Sequence, residues 1–271
     1  MKAEKWLKRF QEAHGHQPWA LVTGSSSGMG LEYARQLAEM GCNLLLVSNQ
    51  EEELQRAAKE LKRDKTIQVE THYQDLATDT AAEELMAFCQ TENLQIDILI
   101  NNAGMFFFEE LTPENEDKAL TMMRLHTFTP TRLCVLFGEK MKKRGYGYII
   151  NMSSMAAQLP CPGITVYSAT KAFLKSFGKS LFFEMRPYGV GVTTVCPAAI
   201  ATPLYKLKPS LLKLGVKVGL IGTPQWLVRR ALKGMMRKKR VVRPGLMNRY
   251  LPPLIALLPY GLVNRIWQRY K

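Results

Sequence analysis

Three side chains carry a recognisable chemistry. Ser153-Ser154 closes an apolar run, and thirteen residues after Ser154 comes Tyr167, followed at i+4 by Lys171. On a helix, residues four apart share one face. A free phenol titrates at about 10 and is a poor base at neutral pH. A neighbouring ammonium favours the phenolate. So tuned, a phenol can give a proton to a developing alkoxide or take one from an alcohol. A serine hydroxyl beside it can hold the substrate oxygen and stabilise its charge. A lone Tyr-x-x-x-Lys is usually an exposed helix face, so its neighbours in the chain decide.

Thr23-Gly24-Ser25-Ser26-Ser27-Gly28-Met29-Gly30 lies between an apolar run and an amphipathic stretch. Glycines there let the backbone turn and approach a pyrophosphate, with the N–H groups of a following helix behind them. The spacing is GxxxGxG, and a plain glycine-rich turn is the alternative. Asp75 in Tyr73-Gln74-Asp75-Leu76 could accept a bond from an adenine amino group, or could serve as an N-cap or turn residue. Asn101-Asn102-Ala103-Gly104 closes another apolar run, where the amides can pin neighbouring strand ends and Gly104 lets a ligand lie close.

These residues require elements to hold them. Trp19–Thr23, Asn43–Val47, Ile67–Thr71, Ile96–Ile100, Tyr148–Met152 and Val190–Cys196 read as buried strands. Helical patterns lie near 28–40, 51–63, 79–92, 115–143 and 166–186. This alternation predicts an α/β fold, a Rossmann-like doubly wound parallel sheet with helices on both faces. In such a sheet, ligands gather at the carboxyl ends of the strands, where all the candidates fall. Residues 1–18 read as an amphipathic extension, 19–245 as the single domain with a glycine- and proline-punctuated lid at about 200–223, and 246–271 as a C-terminal extension.

The set Gly24/Gly28/Gly30, Asp75, Asn101-Asn102-Ala103-Gly104, Ser154, Tyr167 and Lys171 resembles the short-chain dehydrogenase/reductase family, over about Trp19 to Thr202. The branch it resembles most is that of hydroxysteroid dehydrogenases and long-chain ketoacyl reductases. The resemblance implies seven parallel strands, Tyr167 as acid/base, Lys171 as ribose ligand and pKa modulator, and Ser154 as carbonyl binder. It implies cofactor contacts from Gly24, Ser25, Ser26, Ser27, Gly28, Met29 and Gly30, from Ser48 and Asn49, and from Asp75 and Leu76. Further contacts would come from Asn102, Ala103, Gly104, Tyr167, Lys171, Pro197, Ala198, Ile200 and Thr202, the last near the carboxamide. The chain departs from the family twice. Ala198 follows Pro197 where the family usually has glycine, which would be strained if φ were positive. His126 stands where the family commonly places an asparagine that anchors a relay water. A histidine there can relay a proton itself or be a packed core residue.

The second strand ends in Leu46-Val47-Ser48-Asn49-Gln50, with neither the acid that bonds the ribose of NAD nor a base for the phosphate of NADP. Its serine and amide donors favour NADP(H), with NAD(H) the alternative. No metal is expected. The segment following the sixth strand is apolar (Leu204, Leu207, Leu211, Leu214, Val218), which predicts a bulky hydrophobic substrate, a steroid or a long acyl chain. The rival readings are a nucleotide-sensing binding protein with little catalysis and a reductase of a different carbonyl.

Net charge is +14, unevenly spread. Residues 1–184 carry 20 basic and 23 acidic side chains, whereas 185–271 carry 17 basic and none acidic. Arg237-Lys238-Lys239-Arg240 and the apolar segment beyond predict peripheral contact with an anionic membrane, assisted by Trp6, Leu7 and Phe10, or attraction of an acidic ligand, or simply a solvated basic face. No motif points to nucleic acid. Five scattered cysteines, no secretory signal and no apolar run of transmembrane length predict a reduced, cytoplasmic protein, free or peripheral to a membrane. The resemblance also implies a homodimer or homotetramer built on the helices near 115–143 and 165–186.

Overall fold

The computed structural model describes residues 3–63, 66–159, 161–200, 221–245, 248, 250–251 and 259–270. Seven parallel strands form one sheet in the order β3-β2-β1-β4-β5-β6-β7. They are β1 (Trp19–Thr23), β2 (Asn43–Ser48), β3 (Val69–Tyr73), β4 (Ile96–Asn101), β5 (Gly147–Met152), β6 (Val190–Val195) and β7 (Val241–Val242). Helices cover both faces, so central strands are buried throughout and read as unbroken apolar runs, Leu44-Leu45-Leu46-Val47 among them. The strand order reverses between β1 and β4, which opens a crevice above their carboxyl ends.

The helices are α1 (Ala3–His14), α2 (Gly28–Glu39), α3 (Glu51–Leu61), α4 (Ala81–Thr91), α5 (Glu116–Met123), α6 (Thr129–Arg144), α7 (Thr165–Met185), α8 (Pro224–Met236) and α9 (Tyr260–Tyr270). Local chemistry sets several ends. Glu51, Glu52 and Glu53 meet the positive end of α3. Thr223 accepts from the Trp226 N–H and Pro224 opens α8. Gly145, at φ +81°, ends α6 in the left-handed region behind Lys142, Lys143 and Arg144.

Three sequence expectations need correction. The third strand begins at Val69 rather than Ile67; Ile67 is buried but precedes the ladder, and Tyr73 continues it by pairing with Ser48. The helical stretch near 115–143 is present but is not α throughout: a π turn, Arg124–Phe128, lies between α5 and α6. Pro130 has no N–H for the carbonyl of His126, so the α ladder cannot close there. Instead, Thr129 N–H reaches back to the Arg124 carbonyl. Finally, Trp6 and Phe10 are buried, with Trp6 edge-on to Tyr148 at 5.7 Å, so α1 is packed into the core and its rings are not available to a membrane. Among the described residues, no helix is long and apolar enough to cross one.

Candidate active site

The cleft above the reversal point is lined by the glycine loop, the ends of β2, β3, β4 and β5, Leu125 and His126, the start of α7, and Pro197, Ala198 and Ile200. At the loop, Gly24 has φ +66° and Gly28 φ +57°. A Cβ on Gly24 would lie 2.9 Å from Ala103 Cα, and one on Gly30 would collide with the Gly24 carbonyl oxygen. The glycines therefore do two jobs. Gly24 brings the loop against β4's exit, and Gly30 brings α2 against the loop.

Ser26, Ser27, Gly28 and Met29 face the cleft, while Gly30 stands behind it. Ser25 is fully buried and points away from the cleft. Its N–H and its hydroxyl both donate to the Val47 carbonyl, so it secures the loop to β2. Beyond β2, Ser48 Oγ donates to Ser26 Oγ (2.9 Å), and Ser26 Oγ donates to Gln50 Oε1 (3.1 Å). Gln50 belongs to this polar corner together with Ser48 and Asn49, a residue that sequence patterning passed over.

The paired amides at β4 pin strands. Asn101 Nδ2 donates to Asn151 Oδ1 on β5 at 2.8 Å, and Asn102 Nδ2 donates to the Thr23 carbonyl on β1 at 3.0 Å. Asp75 is exposed at the cleft edge, where its Oδ1 accepts the Ala77 N–H at 3.0 Å, so it is a turn residue that also lines the cleft. Leu76, Ala103, Gly104, Pro197, Ala198 and Ile200 line it too. Ala198 is not among the residues with positive φ, so the glycine-to-alanine departure carries no strain. Thr202 and most of the segment at 200–223 lie outside the described residues.

Ser154, Tyr167 and Lys171 are all buried and all border the cleft. Ser153 Oγ donates to the Lys171 carbonyl at 2.7 Å, tying β5 to α7 and setting Ser154 at the strand end. Lys171 Nζ donates to the Met152 carbonyl at 3.0 Å and lies 5.6 Å from the centre of the Tyr167 ring. Burial holds the Lys171 ammonium down to about 8.

His126 sits in the π turn, 1% exposed. The Met105 N–H donates to its Nε2 at 3.0 Å, so its proton is on Nδ1, which lies 3.0 Å from Thr170 Oγ1. Thr170 in turn donates to the Tyr167 carbonyl at 2.9 Å. Both ring nitrogens are therefore engaged, and burial together with Lys171 pushes the imidazole pKa well below its ordinary value. His126 thus stands in the cleft wall with both ring nitrogens engaged and its imidazole held toward the neutral form. Gly104 makes room for it, since a Cβ there would lie 2.8 Å from Nε2.

The cleft fits a dinucleotide. Close backbone approach shapes its cradle: a side chain at Gly24 would press on Ala103, and one at Gly30 on the Gly24 carbonyl. Asn102 Oδ1 and Gln74 Oε1, on two residues that line it, are buried with no hydrogen-bond partner among the described residues, as acceptors for a donor on a bound nucleotide would be. Sequence patterning also missed Gln74, Met105, Leu125 and Met152 in the lining; they lie one or two residues from the motifs, or on the π turn that the sequence concealed. Among the described residues, no group of His, Cys, Asp and Glu could hold a metal.

Comparisons with known proteins agree with this geometry. The short chain dehydrogenase family model matches residues 18–210. Very-long-chain 3-oxoacyl-CoA reductase of Homo sapiens is 32% identical over 257 residues, covering 92% of this chain and 78% of that protein. The 17-beta-hydroxysteroid dehydrogenase type 3 of Mus musculus is 33% identical over 195 residues, 69% of this chain and 62% of that protein. Among solved structures, the bulky-bulky ketone specific alcohol dehydrogenase from Comamonas testosteroni superposes with a TM-score of 0.74 at 29% identity, over 90% of this chain and 96% of that one. A short-chain dehydrogenase from Sphingobium yanoikuyae in complex with NADPH gives 0.75 at 28%, over 90% and 97%. The chain belongs to the short-chain dehydrogenase family and is a nicotinamide-dependent oxidoreductase of the class that acts on CH–OH groups.

Proposed function

We propose that this protein interconverts a ketone and a secondary alcohol on a bulky hydrophobic substrate, a steroid or a long acyl chain, with NADP(H) as cofactor. The observation that carries the chemistry is the burial of Tyr167 and Lys171 on one face of α7, beside Ser154 and at the mouth of the glycine cradle. A bound nicotinamide would supply hydride to, or take it from, the carbonyl carbon. Gly24, Ser26 and Asn102 would hold its nucleotide. Ser154 Oγ orients the substrate oxygen. The Tyr167 hydroxyl gives that oxygen its proton in reduction and takes it back in oxidation. The Lys171 ammonium, with one N–H spent on Met152, stabilises the phenolate and keeps its other donors for ribose hydroxyls.

Hydrophobic substrates are supported by the names of the relatives and by the apolar segment after β6. The choice of NADP(H) over NAD(H) rests on the corner of Ser26, Ser48, Asn49 and Gln50, which holds no carboxylate to repel a phosphate. The test is a panel of steroid, long-acyl and small ketones with NADPH and NADH, followed by nicotinamide absorbance. Turnover of the bulky ketones with NADPH is expected; activity confined to short polar alcohols or sugars would refute the substrate class. Tyr167→Phe should lose about 100-fold or more of kcat while still binding nucleotide. A variant that turns over like the wild type would make the chain a nucleotide-binding protein whose chemistry lies elsewhere.

The proposal extends to the surface. Arg229, Arg230, Lys233, Arg237 and Arg240 are exposed on and just beyond α8, the charge pattern of a peripheral contact with anionic lipid. Co-sedimentation with anionic but not zwitterionic vesicles would support it. Val135 on α6 and Phe173 and Phe183 on α7 are exposed apolar side chains on the helices where a homodimer or homotetramer would form, which light scattering would detect.

A further inference from the structure

We infer that Phe108 and Trp267 form the wall that selects substrate by size, so that the C-terminal helix α9 belongs to the substrate site. This rests on reading the cleft as a site for ketones and alcohols. The loop leaving β4 carries Phe106, Phe107 and Phe108. The Phe106 ring stands edge-on to the reacting phenol of Tyr167, 5.0 Å between centres at 89°. Phe107 instead lies under Lys118 Nζ, 4.5 Å from its ring centre. Phe108, two residues beyond Phe106, meets Trp267 of α9 at 5.9 Å and 69°.

The pair is seated on Gly163, four residues before Tyr167. Gly163 has φ +80°, and a Cβ there would lie 2.9 Å from Phe108 Cε2 and Cζ and 2.9 Å from Trp267 Cζ3. The Glu109 N–H donates to the Gly163 carbonyl at 3.0 Å, which staples the aromatic loop to the approach of α7. Three chain segments far apart in sequence thus meet: the loop after β4, whose Phe106 ring touches Tyr167, the chain at Gly163 four residues before Tyr167, and α9. Phe108 is 52% exposed, so the pair is not a core contact. It offers apolar area that a large ketone reaches and a small one does not.

The test uses the bulkiest and the smallest ketones that the wild type reduces. In Trp267→Ala and Phe108→Ala, the ratio of kcat/KM for bulky over small ketone should fall about tenfold or more, through KM, while the NADPH Kd holds. Trp267→Phe, which keeps an aromatic face, should recover most of the ratio, and this separates a substrate contact from loss of fold. Gly163→Ala should shift the ratio by pushing both rings. Equal losses on both ketones, or an unmoved ratio, would overturn the inference alone. A wild type that reduces no bulky ketone would instead remove the reading on which it rests.

Discussion

The proton on His126 has one place to be. Its Nε2 is held by the Met105 N–H and its Nδ1 faces the Thr170 hydroxyl, which is itself committed to the Tyr167 carbonyl. The imidazole therefore joins the exit of β4 to the turn of α7 that bears Tyr167. His126→Ala should lower kcat about tenfold or more by freeing that turn, and His126→Asn, which keeps one donor and one acceptor, should restore part of it in steady-state kinetics. Because the ring stays neutral, the kcat/KM profile should show no limb at its ordinary pKa of 6.5. Lys171 is different. Its pKa is lowered to about 8, so the ammonium is lost as pH rises through that value. A fall in kcat/KM for ketone reduction above about pH 8 is expected, and Lys171→Arg, always charged, should move the limb upward if it binds cofactor at all. In stability the sign is opposite. Between about 8 and the ordinary 10.5 the unfolded chain holds the proton that the folded one has released, so this residue's contribution to stability rises with pH across that window, and melts of wild type against Lys171→Met would show it.

At the scale of elements, the glycine loop makes the sharpest demand. Gly24→Ala forces a side chain into φ +66° and against Ala103, and Gly30→Ala drives one into the Gly24 carbonyl. Either should weaken NADPH binding at least about tenfold in a fluorescence titration, since each widens the cradle. Much of this was legible in the sequence because close backbone approach leaves glycine as its signature, and because buried parallel strands are written as apolar runs. What was not legible was governed by hydrogen bonding rather than by pattern. Ile67 is apolar and buried without belonging to the ladder, so the apolar pattern starts two residues before the third strand does. The π turn is hidden because Arg124 to Phe128 have helix-compatible side chains, and only the missing N–H of Pro130 betrays it. Gln50 and Gln74 carry no motif, and their place in the cleft follows from where the strands end.

Across the whole molecule, the sheet is covered on both faces and α1 contributes to that cover. Trp6→Ala should cost about 3 kcal/mol in equilibrium denaturation, because it empties a site packed against Phe10 and Tyr148. The amphipathic N-terminus was visible in the sequence, but its partner was not, since Tyr148 lies more than a hundred residues away. The cleft is a product of the same long-range assembly. Its walls come from the first βα junction, the ends of β2, β3, β4 and β5, the π turn, the start of α7 and the chain after β6. A nucleotide lodged among them would act as a rivet through many layers of the chain at once. Hydrogen–deuterium exchange should accordingly slow on NADPH addition at all of these separated stretches together, rather than in one contiguous block.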